Sequence, residues 1–534
     1  MPVLIDRRAP SPASAAAVLG ALVGLIAAPA YAQPAPTPPD SATDAPPADK
    51  PVAPVDAPRV APSPVPDAPK IEPPKTEFVA EVKPPVPEAP KLPPQSGFAF
   101  GSYGRMIAGT DFKGGPGRDA DIVAYGSRLD ESNYVELELR RDDYWKKTDS
   151  TTRLVATLAV VNPIFHYNGD FNVKMAVRNL YIEERDLGVK GLSVWAGSRM
   201  YRGDDIYLLN FWPLDNLNTM GGGARYDFTK KTYAALHAGL NEPNTPFYLQ
   251  QVERPNPLNQ IGATSINVLD RQRFIGSAKV SHIIPVGDTG GLKAVVYAEA
   301  HQLSAGQRET QPRVFETLPA DSGFVVGAQL GAFTGDRDGH VNLFVRYAAG
   351  LAAYGELATP NQPSLDNTTT GAHELVVAIG GNWEKGPFGL MGGAYLRSFR
   401  NASAALDHGD VDEGIFMLRP AVFFGEIAGL ALEGSFQAQQ RGVVTQADAA
   451  SGQPALASGP FSASLFRFGV MPFLSPAGRG NYSRPQFRLT YVLTARNAGA
   501  KALYPVDDVY SLRDIEHFFG LGAEWWFNSS SYGG

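Results

Sequence analysis

From Gly97 to the end of the chain, apolar and polar residues alternate with a period of two. In NYVELELRR, Tyr134, Glu136, Glu138 and Arg140 share one face, and Val135, Leu137 and Leu139 share the other. Successive side chains of an extended strand point to opposite sides, so each such run predicts a strand with one polar and one apolar face. The same alternation recurs in QFRLTYVLTAR, where Phe487, Leu489, Tyr491 and Leu493 oppose Gln486, Arg488, Thr490 and Thr494. Near the end, Phe519, Leu521, Ala523, Trp525 and Phe527 oppose Glu516, Gly520, Gly522, Glu524 and Trp526. HVNLFVRY and LKAVVYAEAHQ follow suit, with Val341, Leu343 and Val345 opposite Asn342 and Arg346. No long amphipathic helix is evident, which makes the chain all-β.

Alternating strands suit either a soluble sandwich or a membrane barrel. A sandwich of this size would need several domains with visible linkers between them, and none is visible after Gln95. A transmembrane antiparallel β-barrel turns the apolar face to lipid and the polar face to a lumen, with every backbone group paired around the ring. That arrangement accounts for Arg and Glu recurring on the polar parity. At about 10 residues per strand, roughly 18 strands fit with room for long loops; the pattern does not separate 16 from 18. Tyr125, Tyr144, Trp145, Trp195, Tyr201, Trp525 and Phe527 lie near predicted strand ends, as interfacial girdle residues do.

The chain before Gly97 reads differently. Arg7 and Arg8, the apolar stretch Ala15–Ala28 and the small-x-small site Ala30-Tyr31-Ala32 form a secretory signal over residues 1–32; an uncleaved anchor is the rival. Residues 33–95 carry 21 of the chain's 45 prolines, which remove amide donors and favour an extended, solvated spacer. Residues 96–534 are then the barrel. With no Cys at all, disulfides, thiolate-bound metals, a thiol nucleophile and a lipidated N-terminal Cys are excluded. The 47 Lys and Arg are outnumbered by 54 Asp and Glu, so there is no basic footprint for nucleic acid. No cofactor motif and no metal set emerges. GDRDGH (335–340) and DHGDVDEG (407–414) lack calcium-loop spacing and read as outer loops. Gly221–Gly223 read as a turn.

Several stretches resemble the maltoporin family of sugar-specific outer-membrane porins. GSYGRMIAG is similar to that family's first strand, with Tyr103 and Arg105 at its inward positions. SRLDESNYVELEL is similar to its second and third strands, at Arg128, Tyr134 and Glu136. AVRNLYIEE followed by WAGSRMYRGDDIYLLNFWPLDN looks like the run into the loop that folds inward and narrows the pore, matching at Arg178, Trp195, Arg199, Tyr201, Asp205 and Phe211. SRPQFRLTYV and FGLGAEWWF look like its last strands. Departures are Gly203, Tyr207, Asn210 and Trp212, where the family has arginine, histidine, aspartate and tyrosine. The family's paired cysteines are missing, and NSSSYGG follows Phe527, where the family has its terminal aromatic.

The resemblance implies a homotrimer in the outer membrane of a Gram-negative bacterium, with outer-membrane lipid outside and sugars as the transported partner. The segment 33–95 would then lie in the periplasm, free to contact the cell wall. A sugar offers apolar C–H faces and a rim of hydroxyls, so a selective channel needs aromatic planes and charged hydrogen-bonding groups. The resemblance places Tyr103, Tyr134 and Trp526 on an aromatic slide, with Phe416 a weaker candidate and Trp212 at the constriction. It places Arg105, Arg128, Glu136, Arg178 and Asp205 on a polar track, with Tyr207 in the loop. The residues by themselves leave girdle positions and barrel-filling ion pairs open for these side chains. A general porin, a barrel enzyme and an envelope anchor are the competing functions; no convergent catalytic pair is seen, so no enzyme is expected.

Overall fold

The computed structural model describes residues 96–529 except 116, 118–119, 162–172, 336–338, 361–362, 404–409, 442–444, 448–453 and 457–460. The leader and spacer expected over 1–95, and the tail 530–534, lie outside the described residues. In chain order the strands are β1 (Gly97–Thr110), β2 (Tyr134–Trp145), β3 (Ser150–Val161), β4 (Lys174–Arg185), β5 (Leu192–Arg202), β6 (Asn216–Thr229), β7 (Thr232–Asn241), β8 (Leu249–Pro255), β9 (Ala263–Asp270), β10 (Arg273–Val286), β11 (Gly290–Leu303) and β12 (Gly306–Gln311). They continue as β13 (Val314–Leu318), β14 (Asp321–Thr334), β15 (Gly339–Gly350), β16 (His373–Lys385), β17 (Phe388–Arg400), β18 (Val411–Phe424), β19 (Ala428–Arg441), β20 (Thr445–Ala447), β21 (Pro454–Leu456), β22 (Phe461–Leu474), β23 (Gln486–Arg496) and β24 (Ile515–Phe527).

Eighteen of these form one antiparallel sheet in which each strand pairs with its neighbours in sequence. The ring closes where β1 pairs with β2 on one side and with β24 on the other, Tyr103 lying opposite Trp526 and Glu136. The hairpins β8–β9, β12–β13 and β20–β21 are separate two-stranded sheets inserted in the connections. Closure removes every sheet edge, which is what lets backbone amides sit in hydrocarbon. Among the described residues no helix is long and apolar enough to cross a membrane.

The alternation decides the two faces. Leu137, Leu139, Val341, Leu343, Val345, Phe487, Leu489 and Leu521 are exposed on the outside. On the opposite parity, Glu136, Glu138, Gln437, Arg467, Gln486 and Glu524 are buried inside. One end of the barrel carries short turns, such as 230–231 and 386–387, while the other carries connections such as 242–272 and 351–372. Short turns mark the periplasmic end of such barrels and long loops the outer end. Gly386 and Gly425 take positive φ (58° and 67°) in these turns, where a Cβ would be strained.

Several positions differ from the sequence reading. The segment Ser127–Asn133 is not strand; β2 begins at Tyr134, and Arg128 lies in the loop before it. Gly221–Gly223 are strand interior in β6, because a Cβ at Gly221 would meet the backbone of Ala238 at 2.1 Å. The stretch 335–340 links β14 to β15 at the short-turn end and is not an outer loop; its residues 336–338, and 407–409 of the other acidic run, lie outside the described residues.

Candidate functional site

The loop from Gly203 to Asp215, between β5 and β6, folds into the lumen. Its apolar residues Ile206, Leu208, Leu209, Phe211 and Leu214 are buried against Tyr297, Phe344, Val376, Met391, Tyr395 and Ile415 of the opposite wall. Burying side chains of this kind is worth about 1.5–3 kcal/mol each. The wall receives them at glycines: a Cβ at Gly380 or Gly393 would stand 2.9 Å from Ile206, and one at Gly327 would stand 2.5 Å from Leu214. A short 3-10 turn, Tyr207–Leu209, forms the tip and ends at Asn210 in the left-handed region.

A second segment shares the lumen. Between β1 and β2, Ile122 N–H donates to Gln437 Oε1 (2.9 Å), and Arg467 pairs with Asp121 (2.7 Å) and with Asp130. Tyr125, expected in a girdle, stacks on Phe211 with centroids 3.9 Å apart and its N–H donates to the Tyr395 hydroxyl. From the short-turn end, the connection between β22 and β23 contributes Tyr482, which meets Tyr207 edge-on at 5.6 Å.

The charged centre lies at the barrel seam. Glu524 on β24 accepts from the Tyr207 hydroxyl (2.6 Å) and pairs with Arg484 (2.7 Å), Arg488 and Arg128 (3.4 Å). Arg128 also pairs with Glu131 (2.7 Å), donates to the Tyr103 hydroxyl and lies over the Tyr207 ring at 4.7 Å. Arg105 joins Glu131 (2.8 Å) and the Tyr103 hydroxyl (3.0 Å). Beside it, the Tyr134 hydroxyl donates to Glu136 (2.5 Å), and Arg178 pairs with Glu136 at 2.5 Å. Arg105 and Arg178 stand 5.1 and 5.6 Å from the centre of the Tyr134 ring.

Arg178 reaches the lumen through a register shift. Asn179 pairs with Thr157 and Val177 with Leu158, which leaves Arg178 as an extra residue between them. A bulge re-aims a side chain against simple parity, so Arg178 and Asn179 both serve the inner face.

The ring contacts at the tip bring Trp526 within 5.9 Å of Tyr207, edge to face, with the Arg484 guanidinium 4.3 Å from the Trp526 ring. Tyr103 and Tyr134 are 5.9 Å apart, but Tyr103 is 0% exposed. Trp212 is buried at the base of the loop with Arg202 over its ring at 3.7 Å. Asp205 is half-buried in the same loop, and its neighbour Asp204 pairs with Lys293 at 2.6 Å. Phe416 is 56% exposed on the outer face of β18, because its neighbour Ile415 takes the inward parity; it is not part of an inner slide. Trp195 and Tyr201 also leave the girdle, since both stack on the inward His237.

Glu524, Arg488, Glu131 and Tyr482 belong to this centre and have no site role in the sequence reading; Arg484, matched with Ser483 and Pro485 in SRPQFRLTYV by the resemblance, belongs to it as well. For Glu524 and Arg488 the polar parity of their strands was the available signal. At the loop end, Glu356 accepts from the Asn218 N–H (2.6 Å), and the adjoining carbonyls of Gly355 and Glu356 accept from Arg273 (2.6 and 3.2 Å). Burial pushes the Glu356 carboxyl up to about 7. Among the described residues no group of three or more His, Asp or Glu is placed to hold a metal ion.

A closed 18-stranded barrel with an apolar exterior, a charged lumen and a loop narrowing that lumen is an outer-membrane channel. The sequence model of the LamB porin family matches residues 98–527, nearly the whole barrel. The chain belongs to the LamB porin family, and it is a non-enzymatic porin of the outer membrane. No curated protein sequence matches it. Among solved structures it is similar to OmpT of Vibrio cholerae in its trimer form (11% identity, TM-score 0.38, covering 81% of this chain and 99% of that one). It is also similar to OprB of Pseudomonas putida (11%, 0.35, 81% and 94%) and to OpdK of Pseudomonas aeruginosa with vanillate (10%, 0.35, 80% and 98%).

Proposed function

We propose that this porin conducts sugars, as maltodextrin-like oligosaccharides, by passive diffusion through a binding channel. The observation that carries the reading is the meeting of Trp526, Tyr207 and the Glu524–Arg484–Arg488 cluster at the tip of the inward loop. An indole face takes the apolar side of a pyranose, while carboxylate and guanidinium groups exchange hydrogen bonds with its hydroxyls. Each contact is weak, on the order of 1 kcal/mol, so the sugar is passed on and not trapped. Trp526 and Tyr134 supply the aromatic faces. Tyr103 lies beneath and orients Arg105 and Arg128, and Glu136, Arg178 and Asp205 continue the polar track. Trp212 backs the loop whose tip is Tyr207.

Under the same reading the barrel assembles as a homotrimer. Residues 1–32 are a cleaved leader, and 33–95 are a periplasmic spacer able to contact the cell wall. The test is single-channel recording in a planar lipid bilayer during titration with linear maltodextrins. Saturable block in steps of three is expected. Open current without block would make the protein a porin with no sugar site, and block in single steps would remove the trimer.

A further inference from the structure

Below the inward loop, against β4, β5, β6, β7 and β10, a second cavity of about 610 Å³ runs from Gly203 to the turn at Asp186–Gly191. Its size suits a small-molecule site, and its lining reaches the short-turn, periplasmic end. Behind it stand three stacked rings. His237 lies between Trp195 (centroids 5.6 Å apart, planes within 11°) and Tyr201 (5.6 Å, 13°). Thr219 holds the imidazole Nε2 at 2.6 Å, and Ser277 faces Nδ1 at 3.4 Å. Gly223 makes room for the indole, since a Cβ there would come within 2.6 Å of Trp195 Nε1. Tyr181 meets Trp195 edge-on at 6.2 Å. The rings are therefore held before any ligand arrives.

Charge on this wall is unbalanced. Arg185, Arg199, Arg202, Arg225 and Lys279 line the cavity, against Glu183, Asp186 and Asp227. Glu183 is shared between Arg185 (2.6 Å) and Arg199 (3.3 Å), so one carboxylate serves two guanidiniums. Arg225 is paired with Asp227 at 2.7 Å on a half-exposed surface, and Lys279 is paired with Asp215. Arg199 lies 4.6 Å from the Tyr181 ring and 5.3 Å from the Trp195 ring. Its charge sits where an anionic substituent would fall if a pyranose lay along those rings.

We infer that this cavity is a second, exit-side binding site for acidic sugars, pyranoses that carry a carboxylate. The carboxylate takes the guanidinium that Glu183 only half satisfies, and the ring of the sugar takes the aromatic edge. The inference rests on the channel reading but not on sugar binding at the loop tip.

The test uses the full-length protein in a planar bilayer, with trigalacturonate, maltotriose and acetate added in turn to either side. Trigalacturonate should block from one side at roughly tenfold lower concentration than maltotriose, the scale of one added charge-assisted contact. Arg199→Gln should bring the two sugars within about twofold while maltotriose block persists. Equal block by both sugars in the unmodified protein, a preference surviving in Arg199→Gln, or acetate matching trigalacturonate would each overturn the site. Block by trigalacturonate with none by maltotriose would support this site and overturn the maltodextrin reading of the loop tip.

Discussion

The hydroxyl of Tyr207, at the tip of the inward loop, donates to Glu524 on the last strand at 2.6 Å. The contact joins residues 317 positions apart and ties the loop to the seam where the first and last strands close the barrel. Arg484 and Arg488 bracket it, both reaching Tyr207 and Glu524.

Tyr207→Phe removes the donor to Glu524 and an acceptor for two arginines while keeping the ring. The loss is about 1–3 kcal/mol of loop docking. The expected outcome is greater open-channel current noise with little change in unfolding temperature; a quiet channel identical to the unmodified one would show that the tether does not hold the loop.

Trp526→Ala removes the aromatic face at the tip. With stacking worth about 1 kcal/mol, the maltodextrin blocking constant should weaken about fivefold, with ion conductance nearly unchanged. Tyr134→Ala should weaken block as well, and also release Arg105 and Arg178 from its ring. Unchanged block in both variants would end the slide assignment.

Trp212→Ala opens a hole beneath the loop, where the ring is buried under Arg202. Truncating a buried Trp costs about 3–5 kcal/mol, so the folded trimer or monomer should melt at lower temperature in heat-modifiability gels. Single-channel conductance should rise as the loop shifts. A stable protein of unchanged conductance would mean that the ring neither seats the loop nor helps narrow the pore.

Glu356 gives the outer loop 351–372 a dependence on pH. Its folded pKa of about 7 lies above the ordinary 4.5, so the folded loop binds the proton more tightly than the open one. Docking is therefore fully favourable below pH 4.5 and weakens as pH rises through about 7. Amide protection across 351–372, taken relative to the intrinsic base-catalysed exchange rate at each pH, should fall over that interval, and Glu356→Gln should flatten the profile. An equally steep profile in the variant would assign the effect to another group.

The barrel was legible in the chain because strand alternation is local: each residue's parity depends only on its neighbours, and lipid outside with water inside rewards one parity everywhere. Tyr134, Glu136 and Trp526 faced inward on that ground alone, while Arg105 was placed inward by the resemblance of GSYGRMIAG. Arg178 was matched by resemblance, yet its inward aim depends on a bulge against β3 that a count of alternating positions does not contain. Phe416 failed as a slide residue because a one-residue slip carries a side chain across the wall.

What tertiary structure alone decided is the filling of the lumen. The resemblance implied that the loop turns inward, but where Ile206 and Phe211 seat depends on glycines and apolar patches on β14 to β17, more than a hundred residues away. The same holds for Glu524, whose partners come from the first loop, the inward loop and the connection before β23. Alternation along a strand tells which face a residue serves; only closure of the ring brings those faces opposite one another, and the site is made of what then meets across it.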